Sequence, residues 1–223
     1  MTVAVSNLRV ARGGTEILHG VSFEVSSGEL LTITGSNGAG KTTLIKAILG
    51  ILPCSSGTVL VDGVAVGSSV WRAHRRRMGY VSQHAVQTDF PISVSEVVSI
   101  GLSTERPGRR DKKERMDRAM ELTGCLRLRD ATYAPLSGGE KQRVSIARCL
   151  CQNPAVMVLD EPIASLDPEG KESIITLTEE VSAALGMTVL LVSHESGHFG
   201  RPGWRRIALE NGRIVSDTEA NSA

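Results

Sequence analysis

The feature that most restricts the fold is a change of texture between residues 30 and 49. A short apolar run, Leu30-Leu31-Thr32-Ile33-Thr34, gives way to Gly35-Ser36-Asn37-Gly38-Ala39-Gly40-Lys41-Thr42, and a helical pattern follows from Thr43. Strand, glycine-rich loop and helix in that order make an anion cradle. Successive backbone N–H groups can face one phosphate only if the loop takes conformations that a Cβ would obstruct. The helix behind it adds the partial positive charge of its N-terminus. The octapeptide fits G-x-x-x-x-G-K-[ST], in which Lys41 brings a point charge to the β- and γ-phosphates and Thr42 offers its hydroxyl to Mg²⁺. A glycine-rich turn that binds nothing is the plain alternative; the strand before it and the helix after it argue against that.

A Mg²⁺-nucleotide site also needs a carboxylate for the metal. Residues 155–159 form a second apolar run that ends in Asp160-Glu161, and the carboxyl ends of strands are where open α/β sheets expose functional side chains. Asp160 is assigned to Mg²⁺, through water, and Glu161 to orienting or deprotonating the attacking water. Two solvated acids at a strand end would look the same in isolation. Their pairing with the loop at Gly35 carries the assignment.

The remaining pattern is α/β interrupted by helices. Residues 3–5, 21–25 and 30–34 read as strands, and Val59-Leu60-Val61 with Val64-Ala65-Val66 reads as a hairpin about Asp62-Gly63, a pair that tolerates the positive φ of a two-residue turn. From residue 84 to 150 the pattern is helical. Ser93 and Glu96 form a capping box, and a helix over 111–122 closes at Gly124. A helix over 168–185 ended by Gly186 and a strand over 188–192 complete the wiring. The organisation expected is one domain over 1–223, with 1–83 and 151–223 forming the core and its β subdomain and 84–150 a helical subdomain.

Composition narrows the function classes. The 25 Lys and Arg against 24 Asp and Glu leave a net charge of +1, too balanced for a chain whose main task is to coat nucleic acid or an anionic bilayer. No apolar run approaches the ~18–20 residues needed to span a membrane, and the N-terminus lacks a basic segment followed by an apolar one, so the cytoplasm is expected. Cys54, Cys125, Cys149 and Cys151 contain no C-x-x-C pair and read as small buried thiols.

Between the two phosphate-site elements stands Leu136-Ser137-Gly138-Gly139-Glu140-Lys141-Gln142-Arg143. Ser137 and Glu140 form a capping box that opens a helix over 141–151, with two glycines baring its first amides. This is a second anion-binding helix end. One nucleotide needs one cradle, so the second, if more than a capped helix, implies a γ-phosphate held by another subunit.

On these residues the chain resembles the ATP-binding cassette ATPases, the nucleotide-binding subunits of ABC transporters, and the motifs keep the family's order from residue 1 to about 215. The resemblance implies an α/β P-loop NTPase core of RecA-like type with an N-terminal antiparallel β subdomain and an inserted α-helical subdomain. It implies ATP hydrolysis with Mg²⁺ by a head-to-tail pair of cassettes, here a homodimer. Each ATP then lies between Gly35–Thr43 of one subunit and Ser137, Gly138, Gly139 and Glu140 of the other. Gln83, in Gly79-Tyr80-Val81-Ser82-Gln83, stands at the family's Q-loop, which contacts Mg²⁺ and water. Asp167, in Ser165-Leu166-Asp167, resembles the D-loop that crosses the pair, although Ile163-Ala164 replaces the usual small polar residue before it. His194 resembles the switch histidine that reaches the γ-phosphate. Arg12 takes the place of the aromatic residue that usually stacks on adenine, a role a guanidinium can fill.

The same resemblance implies transmembrane permease subunits as partners, a substrate-binding protein indirectly, a position on the cytoplasmic face of the membrane, and no nucleic acid. The short tail after Ile214 leads us to expect no regulatory C-terminal domain. Phe90-Pro91-Ile92-Ser93-Val94-Ser95-Glu96-Val97-Val98 resembles cassettes of zinc and manganese importers, with iron-chelate importers similar there, so import of a transition metal ion is expected.

Two other classes compete. His194-Glu195-Ser196-Gly197-His198 fits the zinc-peptidase pattern H-E-x-x-H, which needs both imidazoles on one helical face; the segment follows a strand, contains Gly197 and runs into Gly200-Arg201-Pro202-Gly203, poor helical material. His74-Arg75-Arg76-Arg77 and Arg109-Arg110-Asp111-Lys112-Lys113 would serve a nucleic-acid-associated ATPase, against the plainer reading of solvated charge runs.

Overall fold

The computed structural model describes residues 1–82, 91–103, 107–194 and 201–218. Its centre is a six-stranded sheet in which β3 (Leu30–Thr34), β8 (Thr188–Ser193), β7 (Val156–Asp160) and β6 (Met78–Val81) run parallel. On the other side of β3 lie β9 (Trp204–Glu210), parallel to it, and then β10 (Arg213–Thr218), antiparallel to β9. The strands expected at 30–34, 155–159 and 188–192 are therefore neighbours. Every residue of β7 and β8 is buried, as a parallel sheet covered on both faces requires. Alternation assigns the faces: Met157, Leu159, Val189 and Leu191 point into one apolar cluster, and Val156, Val158, Leu190 and Val192 into another.

The second cluster joins the central sheet to α1 (Lys41–Ile48) and to a separate antiparallel sheet of order β2-β1-β4-β5. Here β1 (Val3–Arg12) pairs with β2 (Thr15–Val25) and β4 (Ser56–Val61). The buried residues of β1 change parity from Val3 and Val5 to Leu8 and Val10. The register shifts between Val5 and Leu8, where Asn7 takes a φ of 48°; the bulge keeps the apolar side facing inward. The Asp62-Gly63 turn forms as expected, with φ of 47° and 75° joining β4 to β5 (Val64–Ala65). The short α2 (Trp71–His74) follows.

Helices α3 (Val94–Ser99), α4 (Arg109–Leu122) and α5 (Gly138–Leu150) lie between β6 and β7 in the chain and pack on the first cluster. Both predicted capping boxes are present, Ser93 with Glu96 and Ser137 with Glu140. Arg143 ties the helices together, donating to the Thr123 carbonyl at 2.8 Å and to Ser173 Oγ at 2.6 Å on α6 (Pro168–Leu185). Gly186 ends α6 in the left-handed region, as expected. Cys125, Cys149 and Cys151 are buried free thiols, and burial pushes Cys149 and Cys151 up to about 12. No helix among the described residues is long and apolar enough to cross a membrane.

Candidate nucleotide site

The loop between β3 and α1 turns at the carboxyl edge of the central sheet. Gly35 is held so close to β9 that a Cβ there would lie 2.2 Å from the Leu209 carbonyl oxygen, which leaves no alternative to glycine. At the loop's end Gly40 caps α1 in a left-handed conformation and supplies no side-chain cap. The first amides of α1 thus keep the unpaired donors that every helix start carries.

Lys41 is buried and folds back over the loop, donating from Nζ to the carbonyls of Gly35 at 2.7 Å and Ser36 at 3.1 Å. The same Nζ lies 3.6 Å from Glu161 Oε1. Thr42 Oγ1 donates to Asp160 Oδ1 at 3.3 Å, and Tyr80 OH donates to Asp160 Oδ2 at 3.0 Å. Burial raises the Asp160 carboxyl above the usual carboxylate range, the Tyr80 and Thr42 bonds opposing it. Burial, then the Asp160 charge, raises the Tyr80 phenol.

Glu161 departs from the strand that carries it. Its φ is 52°, a left-handed conformation that costs a residue with a Cβ roughly 1–2 kcal/mol. Its N–H still joins the sheet through the Val192 carbonyl at 2.9 Å, while its carboxylate swings into the cleft. There Oε2 accepts from the His194 backbone N–H at 3.2 Å and lies 2.8 Å from His194 Nδ1. The cleft, about 410 Å³, is lined by loop residues Asn37, Gly38, Gly40, Lys41, Thr42 and Thr43, together with Glu161, His194 and Ile17. Two residues anticipated from spacing alone, Asp160 and Glu161, thus meet the loop in space.

Other expected residues fall elsewhere. Arg12 is exposed at the end of β1, opposite Thr15, and is not part of the cleft lining; the β2 residue that reaches the cleft is Ile17. Ser137 and Glu140 cap α5, and Glu140 accepts from the Ser137 N–H at 3.1 Å, a bond that lowers its carboxyl below the usual range. A Cβ on Gly138 would lie 3.1 Å from Leu166 Cδ2, so the Ser137 turn packs against the segment carrying Asp167. The Asp167 carboxylate caps α6, accepting from the Gly170 N–H at 2.8 Å. None of these residues lines the cleft. Gln83 and Phe90 lie outside the described residues, as do Glu195 and His198 of the zinc-peptidase pattern. His194 follows directly on β8 with its ring engaged by Glu161, and no group of three or more His, Cys, Asp or Glu side chains among the described residues could hold a metal ion.

Besides Ile17, two features escaped the sequence reading. One is Tyr80. The other is the β9–β10 hairpin, whose Asn211-Gly212 turn braces the phosphate loop: the Gly212 N–H donates to the Ala39 carbonyl at 3.0 Å, and its carbonyl accepts from the His19 N–H at 2.9 Å. A Cβ on Gly212 would lie 2.0 Å from the Ile17 carbonyl oxygen. Asn-Gly between Ile207, Leu209 and Ile214 was a readable hairpin signal.

The donor set fits a hydrated Mg²⁺ on a triphosphate. A hydroxyl and a carboxylate converge, both oxygen donors suited to a hard cation, beside a cradle of amides and a buried lysine.

Comparison with known proteins agrees with this geometry. Residues 18–164 match the family described as ABC transporter. The methionine import ATP-binding protein MetN of Brucella abortus is 38% identical over 221 residues, covering 96% of this chain and 59% of that protein. The energy-coupling factor transporter ATP-binding protein EcfA1 of Streptococcus agalactiae is 35% identical over 200 residues, covering 89% and 71%. Among solved structures, cbiO1 from Clostridium perfringens, part of the ABC transporter complex cbiONQ, superposes with a TM-score of 0.88 at 32% identity, covering 97% of this chain and 87% of that one. The chain spans about three fifths of the length of the methionine-import relatives it matches. With the phosphate loop, the strand-end carboxylates and the two-sheet architecture on the same chain, it belongs to the ABC transporter family of ATP-binding cassettes.

Proposed function

We propose that the chain is the ATPase subunit of an ABC importer and works as a head-to-tail pair beneath membrane-spanning partners. The observation that carries the pairing is the separation of two amide-lined helix starts: α1 opens into the cleft, and α5, with Ser137 at its head, is absent from the cleft lining. A second subunit would bring its own Ser137, Gly138 and Gly139 to the open side of the cleft, with residues 84–150 acting as the helical unit that presents them and Asp167 beside the seam.

The chain's own residues then divide the work. The amides of Gly38 to Thr42 and the Lys41 ammonium bind the phosphates, and Ile17 offers an apolar surface toward the base. Thr42 and Asp160 would hold Mg²⁺, which when bound neutralises charge on the β- and γ-phosphate oxygens. Glu161 accepts a proton from the attacking water. Its left-handed backbone and its bonds to His194 hold that carboxylate at the cleft wall, where a positioned base is worth about 10²–10⁴-fold in rate. His194 orients Glu161 and faces the γ-phosphate, and Gln83 serves the metal and its water. ATP held between two subunits favours the closed pair, and hydrolysis removes that preference.

For cargo, the similarity to methionine importers favours a small polar solute, while the segment from Phe90 to Val98 favours a transition metal ion. Both readings share a permease, a substrate-binding protein and a place on the cytoplasmic face of the membrane. Copurification of tagged chain with its membrane subunit, followed by uptake of labelled methionine against labelled Zn²⁺ and Mn²⁺ into vesicles, tests the proposal. ATP-dependent uptake of one cargo is expected; recovery without any membrane subunit contradicts it.

A further inference from the structure

Asp160 divides its two oxygens between two neighbours: Oδ1 takes the Thr42 hydroxyl and Oδ2 the Tyr80 hydroxyl. Thr42 belongs to the phosphate loop. Tyr80 belongs to β6, where it pairs with Val158, so its phenol reaches two residues up the neighbouring strand to meet Asp160. While the neighbouring Val81 points into the helical cluster, the Tyr80 ring packs on the opposite side of the sheet. There it lines a groove of about 500 Å³ with Leu49, Ile51, Trp71, Arg75 and Arg76. One side chain therefore spans from an outer groove to the strand-end carboxylate.

We propose that Tyr80 is a positioning residue for Asp160: its hydroxyl, carried on a ring packed against the sheet, fixes the rotation of the carboxylate so that Oδ1 stays on Thr42. A carboxylate with one anchored oxygen presents the other in a single direction. Without the anchor it samples several, and the pairing with Thr42 loses its preorganisation. The inference rests on Asp160 as the Mg²⁺-facing carboxylate.

The test is Tyr80→Phe, which removes one oxygen and keeps the ring. Titration calorimetry of ATP with Mg²⁺ and of ATP in EDTA gives the metal-dependent gain in affinity. That gain is expected to fall about tenfold in Tyr80→Phe, the worth of one hydrogen bond to a charged group, while metal-free ATP binds within twofold of the unsubstituted chain. A cooperative thermal transition of the variant in the absence of nucleotide shows that the fold is intact. An equal gain with and without the Tyr80 hydroxyl overturns the role of Tyr80 alone. An unsubstituted chain whose ATP affinity ignores Mg²⁺ overturns the reading of the site, and the role of Tyr80 with it.

Discussion

The starts of α1 and α5 are both glycine-rich turns at the head of a helix, yet they treat their unpaired amides in opposite ways. At α1 the N-cap is Gly40, no side chain caps the helix, and the first turn holds no acidic residue. The donors are left for a ligand, and buried Lys41, Asp160 and Glu161 stand around them. At α5 the chain caps itself: Ser137 Oγ accepts from the Glu140 N–H and the Glu140 carboxylate accepts from the Ser137 N–H, on the surface. Only the amides of Gly138 and Gly139 are left without an acceptor among the described residues, and a carboxylate sits nearby to repel a free anion. On the reading proposed above, the first start holds a triphosphate by itself. On the same reading, the second completes a site whose phosphate arrives already bound elsewhere.

Substitutions at the two starts sharpen that contrast. Glu161→Gln should have the largest effect, slowing phosphate release by about 10²–10⁴-fold while ATP affinity, read by calorimetry, stays within a few-fold. Lys41→Ala should instead weaken ATP binding by about 10–100-fold, the loss of a charge-assisted bond to phosphate. Ser137→Ala should leave ATP binding by a single subunit unchanged, lower turnover of the pair, and cost about 1 kcal/mol of stability through the lost cap, seen as a fall of about 2–4 °C in Tm.

The smallest effects are in pH dependence, and they carry opposite signs at the two starts. Asp160 is held above its usual 3.8. Below that value it is neutral in both folded and unfolded chains; above it the unfolded chain ionises first, so the fold loses stability as pH rises. Asp160→Asn should therefore raise Tm at pH 7, with the gain vanishing below about pH 4. Glu140 is held below its usual 4.5, so its contribution is present above that value and is lost as pH falls through the lowered one. Glu140→Gln should lower Tm slightly at pH 7, and the difference should close in acid. Thermal unfolding of both variants across pH 3–7 gives the comparison.

What was legible in the sequence is what local spacing encodes. The Gly35 loop, the capping boxes at Ser93 and Ser137, the Asp62-Gly63 turn and the stop at Gly186 each involve residues within a few positions of one another, and each is present. What was hidden depends on distance along the chain. The Tyr80 hydroxyl meets a carboxylate 80 residues away, which no pattern near Tyr80 announces. Glu161 gains its orientation from a left-handed backbone that its identity does not favour. The resemblance pointed to Arg12, which lies exposed at the end of β1 opposite Thr15, and Ile17 is the residue that lines the cleft. The Asn211-Gly212 brace is a different kind of miss, because its hairpin signal was local and lay beyond the last strand inferred.

The contrast between the two helix starts is tested most directly by the mass of the Glu161→Gln protein in solution, measured by light scattering with and without ATP, alone and combined with Ser137→Ala. ATP should convert single Glu161→Gln subunits into pairs, and the added Ser137→Ala substitution should return them to single subunits that still bind ATP. A protein that stays single when saturated with ATP, or that pairs equally well without the Ser137 hydroxyl, would contradict the account.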